Sequence, residues 1–306
     1  LAPRASTGAP FPEQLRGKAM DHLPPNGKSE KAKKWFRNAA GNNLYDRGNI
    51  RAWVKSSIIE NVSEHLKNLP DHAMLFFIDE IGDPGLTDDQ PYFCLSCAAI
   101  WKSDYQKVTQ NWERLMVTGR RQPGITNALH AKSIFRRVKG NLDFIEFCNT
   151  SPFFRFSCAM EDLMRIGITK SMDGTTAAVC LRSMLHDILF WMTSRKNPIS
   201  IERAFFYFEH SDAWSGAVAT EMGVTTMVGK DVSYGFHYKC RETGPEIPDF
   251  VNYVIGERLW TRGNPIKTRG SFRALFGNPD IGRFHRVMGM SKQGGHPVGY
   301  PLNWND

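Results

Sequence analysis

The stretch Met74 to Gly85, MLFFIDEIGDPG, constrains the fold most, because an uninterrupted apolar run ends there in a knot of carboxylates. Met74 to Ile78 read as a buried strand. Asp79, Glu80 and Asp83 follow at once, and Pro84-Gly85 makes the turn. A central strand that delivers acid at its end suits a divalent cation. Hard ions such as Mg²⁺ take oxygen ligands, and a carboxylate on a rigid strand loses little entropy on coordination. An ordinary strand end with a solvated acidic turn has the same residues, so the rest of the chain must decide.

A chain of 306 residues with 41% hydrophobic content can bury a real core, as one large domain with appendages or two modest ones. The net charge of +8 is unevenly spread. Residues 1–70 carry twelve Lys/Arg against six Asp/Glu, residues 265–306 carry six against two, and residues 71–264 carry 21 against 23. Basic flanks around a slightly acidic middle are expected of a protein that meets a polyanion. They are also expected of solvated helix faces and tails. The six cysteines fall mostly in apolar surroundings, as reduced cysteines do, so a cytoplasmic protein is expected. Cys94-Leu-Ser-Cys97 has CxxC spacing but no second pair, and it reads as strand core. No run of eighteen apolar residues and no signal-type apolar segment is present, so no membrane span is expected.

Three segments emerge. Residues 1–70 read as a basic arm followed by two amphipathic helices, Ser29 to Ala40 and Ile50 to Leu69. Residues 71–263 alternate strands and helices. Strands are expected at Met74 to Ile81, Tyr92 to Trp101, Phe153 to Met160, Ala204 to Phe208 and Ser233 to Cys240. Helices are expected at Asp104 to Thr118, Asn141 to Asn149, Thr175 to Ser194, Ala213 to Met222 and Pro248 to Thr261, the last opened by Pro248. This order predicts an α/β fold, a mixed five-stranded sheet flanked by helices. Residues 264–306 read as a basic tail rich in Gly, Arg and aromatics.

Three acids hold comparable positions: Asp79 ends the first strand, Glu209 ends the fourth, and Asp249 falls in the first turn of the last helix. If the first and fourth strands are neighbours, the three converge. Clustered carboxylates repel unless a cation neutralises them, so such clusters bind metal or raise a pKa. Two metals so held would activate a water and stabilise the leaving oxygen in phosphodiester cleavage.

Phe77-Ile78-Asp79-Glu80-Ile81-Gly82-Asp83-Pro84-Gly85 resembles the opening FIDESGDPG of the bacterial DUF-3800 family. Leu129-His130-Ala131-Lys132, Phe208-Glu209-His210 and Ile247-Pro248-Asp249-Phe250-Val251 resemble later, looser motifs of that family. Ile81 stands where the family has a small Ser, and the Gln that often precedes the helix Asp is absent. The resemblance spans about residues 74–262. It implies an RNase H-like fold and metal-dependent nuclease chemistry, often in mobile-element or bacterial defence settings. It makes Asp79, Glu209 and Asp249 the candidate ligands of Mg²⁺ or Mn²⁺, with Glu80, Asp83 and Asp212 as further acids. His130 is a candidate proton donor and Lys132 a phosphate contact, although a loop histidine and a solvated lysine account for both equally well. His186 reads as a core or edge histidine. His210 and His237 would suggest zinc only with cysteines at ligand spacing.

Two function classes follow. In one, the chain is a metal-dependent nuclease acting on DNA or RNA. In the other it is a non-catalytic nucleic-acid-binding or assembly subunit, working through Lys33, Lys34, Arg37, Arg269, Arg273 and nearby aromatics, with a protein partner or guide complex open in both. No P-loop, no GxGxxG after a strand and no nucleophile elbow points to a small-molecule enzyme.

Overall fold

The computed structural model describes residues 57–82, 92–118, 131, 138–161, 175–193, 203–212, 214–225, 232–260, 285–290 and 297–301. The chain divides into two compact units, 1–52 and 53–306, and all described residues belong to the second.

Strand β2 (Met74–Gly82) is the centre of the sheet. It pairs antiparallel with β3 (Tyr92–Trp101), from Met74 opposite Trp101 to Gly82 opposite Phe93. On its other edge it pairs parallel with β5 (Ala204–Glu209), from Met74 beside Ala204 to Ile78 beside Phe208. Strand β4 (Phe154–Glu161) adds antiparallel to β3, and β6 (Val232–His237) adds parallel to β5. All five expected strands are therefore present, and the first and fourth are neighbours. The sheet is larger than expected, because β1 (Ile58–Ile59) pairs with β6 on one edge and a hairpin of β7 (His285–Met290) and β8 (Pro297–Pro301) adds to β4 on the other. The full order is β1-β6-β5-β2-β3-β4-β7-β8.

Two expected helices differ. Ile58 and Ile59 are β-branched and go into the sheet. The helix expected over 50–69 is, within the described residues, only α1 (Val62–Lys67), whose start is fixed by Asn61 Oδ1 accepting the Glu64 N–H at 3.0 Å. Val62 and Leu66 are buried in the main core, so this stretch belongs to the body of the fold. The last helix, α6 (Thr243–Trp260), starts five residues before Pro248. Pro248 thus sits inside it, leaving the Gly244 carbonyl without its i+4 amide partner. Asp249 consequently lies in the second turn, not the first.

Because side chains alternate along a strand, Leu75, Phe77 and Asp79 share one face of β2, and Phe76, Ile78 and Glu80 the other. The first face is covered by α1, α2 (Tyr105–Thr118), α3 (Val138–Thr150) and α6, which close a core around Phe77, Trp112, Phe144, Tyr207 and Phe250. The second face carries the Phe76–Phe206 stack, with ring centroids 4.4 Å apart. Here α4 (Thr175–Thr193) packs on β3 and β4, and α5 (Ser215–Thr225) packs on α4. No described helix is long and apolar enough to cross a membrane.

Two glycines set close approaches. A Cβ on Gly244 would lie 2.4 Å from the Phe77 ring, so glycine there lets α6 lie against β2. Gly82 has φ of 92°, and a Cβ there would sit 2.1 Å from the Tyr92 carbonyl oxygen. Gly82→Ala is expected to cost about 2 kcal/mol or more, from left-handed strain and displacement of β3. Urea unfolding followed by circular dichroism measures this, and an unchanged midpoint would show that the β2 end shifts freely.

Candidate acidic site

Asp79 follows the fully buried Met74–Phe77 run and is itself only 6% exposed. It projects from the α6 face of β2. Glu209 follows Phe208, the last β5 residue paired with β2, and its alternation with Phe205 and Tyr207 puts it on the same face. Helix α6 crosses that face and brings Asp249. Asn252, one turn further along, is fully buried and its Nδ2 donates to the Asp79 carbonyl oxygen at 2.8 Å, tying the helix to the strand end. Asp249 Oδ2 accepts the Ala131 N–H at 3.0 Å, and Asp79 Oδ1 accepts the Glu80 N–H at 2.9 Å.

The electrostatics record this convergence. Burial pushes the Asp79 carboxyl well above the ordinary aspartate range, and Glu80, Glu209 and Asp249 push it further in the same direction. Lys239 opposes them; its Nζ lies 3.9 Å from Glu209 Oε1. Glu209 and Asp249, up to 170 residues away in the sequence, thus both act on Asp79. Among the described residues, however, no three His, Cys, Asp or Glu side chains are grouped tightly enough to hold a metal ion.

Glu80 acts on this set from the other face of the strand. Alternation sends it to the opposite face, towards Trp214. Its carboxyl is pushed up to about 7, first by burial and then by Glu209, while its own backbone N–H, the Trp214 indole and Asp79 draw it down. Glu80 Oε2 and Trp214 Nε1 are both buried without a partner in hydrogen-bond geometry, and the indole lies near enough to favour the charged carboxylate.

The remaining candidates are dispersed. Asp212 is exposed in the turn before α5. His186 is half exposed on α4, with Nδ1 4.0 Å from Asp187 Oδ1, which makes it an edge histidine. His237 is 2% exposed; its Nδ1 lies 3.0 Å from the Tyr238 carbonyl, and burial lowers its pKa. That carbonyl fixes the proton on Nδ1. His210 donates its backbone N–H to the His237 carbonyl at 2.8 Å. Cys94 and Cys97 are free and buried, and their three-residue spacing in a strand places them on opposite faces, so the CxxC pair is core. Asp83, His130, Lys132, Lys33, Lys34, Arg37, Arg269 and Arg273 lie outside the described residues.

Sequence reasoning missed three contributors: Asn252, Lys239 and Trp214. Asn252 had a signal in its i+3 spacing from Asp249; the other two had none. It also missed a polar network behind the start of α6. There Ser63 Oγ and Tyr105 Oη donate to Glu242, Tyr105 Oη accepts the Gly244 N–H at 3.1 Å, and Trp112 Nε1 donates to Glu246 Oε2 at 2.7 Å.

In comparison with known proteins, the chain matches no protein-family model and no curated protein.

Glu80 supplies a pH test. Its folded pKa is raised from 4.5 to about 7, so its contribution to stability is full below about pH 4.5 and is lost as pH rises through about 7. The shift corresponds to on the order of 3 kcal/mol. Chemical unfolding in EDTA is expected to show stability falling across that window, and Glu80→Gln is expected to flatten the fall. A wild-type profile without the decline would contradict the burial argument.

Proposed function

We propose that the chain is a divalent-metal-dependent nuclease of RNase H-like fold, cleaving phosphodiester bonds in DNA or RNA. The observation that carries this reading is the convergence of Asp79, Glu209 and Asp249 on one face of the sheet, close enough for Glu209 and Asp249 to raise the Asp79 pKa. The arrangement of the five inner strands supports the fold assignment: an antiparallel meander of β2, β3 and β4, with β5 beside β2 and β6 beside β5.

The donor set fits a hard cation. It offers carboxylate oxygens, and a positive charge would relieve their mutual repulsion. Asp79, Glu209 and Asp249 would hold Mg²⁺ or Mn²⁺ once the ion draws their carboxylates closer together than they stand without it. A bound ion would activate a water and stabilise the leaving oxygen of a phosphodiester. The protein's own groups do the positioning. Asn252 holds the Asp79 backbone, the Ala131 N–H orients Asp249, and Lys239 offsets part of the charge on Glu209 and Asp79.

One observation favours a second reading, a binding subunit that keeps the fold without cleavage: the described acids do not close into a three-ligand group. Calorimetric titration of Mg²⁺ and Mn²⁺, beside cleavage assays on labelled single- and double-stranded DNA and RNA, separates the two. Under the nuclease reading, Asp79→Asn and Glu209→Gln each lower cleavage by at least about a hundredfold and abolish metal binding. Asp79→Asn leaves stability at neutral pH unchanged or higher, because a buried charge is removed. Wild-type levels of cleavage in both variants would eliminate this reading.

A further inference from the structure

The segment 238–242 between β6 and α6 borders the acidic face. Tyr238, its first residue, is 59% exposed, the most exposed large hydrophobic side chain among the described residues. Its backbone is nonetheless fixed. The Tyr238 carbonyl accepts a hydrogen bond from the buried His237 Nδ1 at 3.0 Å, and His237 pairs in register with Glu209. The His210 ring lies 5.6 Å from the Tyr238 ring, tilted by 58°, and its backbone is held to the His237 carbonyl. The next residue, Lys239, reaches back to Glu209 and acts on Asp79. Two successive residues thus turn an aromatic ring outward and an ammonium towards the carboxylates.

A tyrosine left in water forgoes the burial that aromatic rings otherwise contribute. Held on a fixed backbone beside a second ring and a cation, it has the parts of a base-stacking platform: a π-face for an unpaired base and a positive charge for the adjoining phosphate. A base inside a duplex is already stacked on both faces and has no face to offer. The observations therefore favour a single strand.

We propose that Tyr238 and His210 form a stacking platform for an unpaired base, and that Lys239 takes the neighbouring phosphate, so that single-stranded nucleic acid is the substrate class presented to the acidic face. This rests on the nuclease reading for its role as substrate recognition, but it is measured by binding alone.

The test is fluorescence anisotropy with labelled oligothymidylate, oligouridylate and a DNA duplex, on full-length protein carrying Asp79→Asn to prevent cleavage. Single strands are expected to bind more tightly than the duplex. Tyr238→Ala should weaken single-strand binding by roughly tenfold or more with duplex binding unchanged, and Tyr238→Trp should retain it. Lys239→Ala should weaken binding and reduce the slope of log K against log salt by about 0.7. Tyr238 is exposed, so loss of fold is not expected, and circular dichroism checks it. Equal affinity for single strands and duplex, or no effect of Tyr238→Ala, would overturn the platform. The same binding pattern in a protein whose unmutated form cleaves nothing would support the platform while removing the catalytic reading.

Discussion

The burial of β2 on both faces and along both edges is the constraint from which the rest follows. Its apolar residues meet α6 on one side and the Phe76–Phe206 layer on the other, while β3 and β5 take its backbone hydrogen bonds. Each fully buried large side chain there contributes about 1.5–3 kcal/mol. A strand held this firmly cannot slip by one residue, because a slip would exchange its two faces. The position of Asp79 is therefore set by Leu75 and Phe77, which fill the same face below it. The carboxylate is buried because its strand is, and Lys239 and the Glu80 N–H offset only part of what burial and the neighbouring acids cost it.

Consecutive acids on such a strand have different fates. Asp79 faces α6 and meets charges from β5 and from the helix; Glu80 faces Trp214 and an apolar layer. Both are driven towards the neutral form by burial first and by Glu209 in common, and Asp79 also by Glu80 and Asp249. Around Asp79 the strand carbonyl and the Glu80 N–H are paired, while Asn252 Oδ1 is left buried without a partner. Around Glu80 a carboxylate oxygen and an indole N–H are left unpaired. Behind both, the network of Ser63, Tyr105, Glu242, Trp112 and Glu246 fixes where α6 begins, and so where Asp249 falls.

The strands were legible because apolar runs bounded by turn residues leave little choice, and all five expected ones formed. The long helices were also legible within a few residues. What failed had local causes. Proline is so often a first-turn residue that Pro248 concealed the true start of α6, which Glu242, Gly244 and Tyr105 determine through contacts distant in sequence. The spacing of Trp53, Ile58, Ile59 and Val62 suits a helix, yet Ile58 and Ile59 were drawn to the free edge of β6. Strands β7 and β8 gave no periodic signal, because glycine and proline interrupt them. Of the site, Asp79 and Glu209 were legible as acids at strand ends, and Asp249 as an acid of the last helix but not in its second turn. The separation of Glu80 onto the other face was implicit in strand alternation. Lys239 and Trp214 belong to the site only through the fold.

The parallel pairing of β2 with β5 also bears on how the chain is made. During synthesis β2, β3 and β4 emerge in succession and can form their antiparallel meander before β5 is made. Counted from Gly82, about 120 residues separate the end of β2 from Ala204, roughly ten seconds at ordinary elongation rates, and about 40 of them follow the completed meander. For that interval one of the most apolar strands of the protein has an open edge and an uncovered face, the situation in which strands pair with the wrong neighbour. The carboxylates that follow Ile78 carry charge at the end of that edge and discourage such pairing.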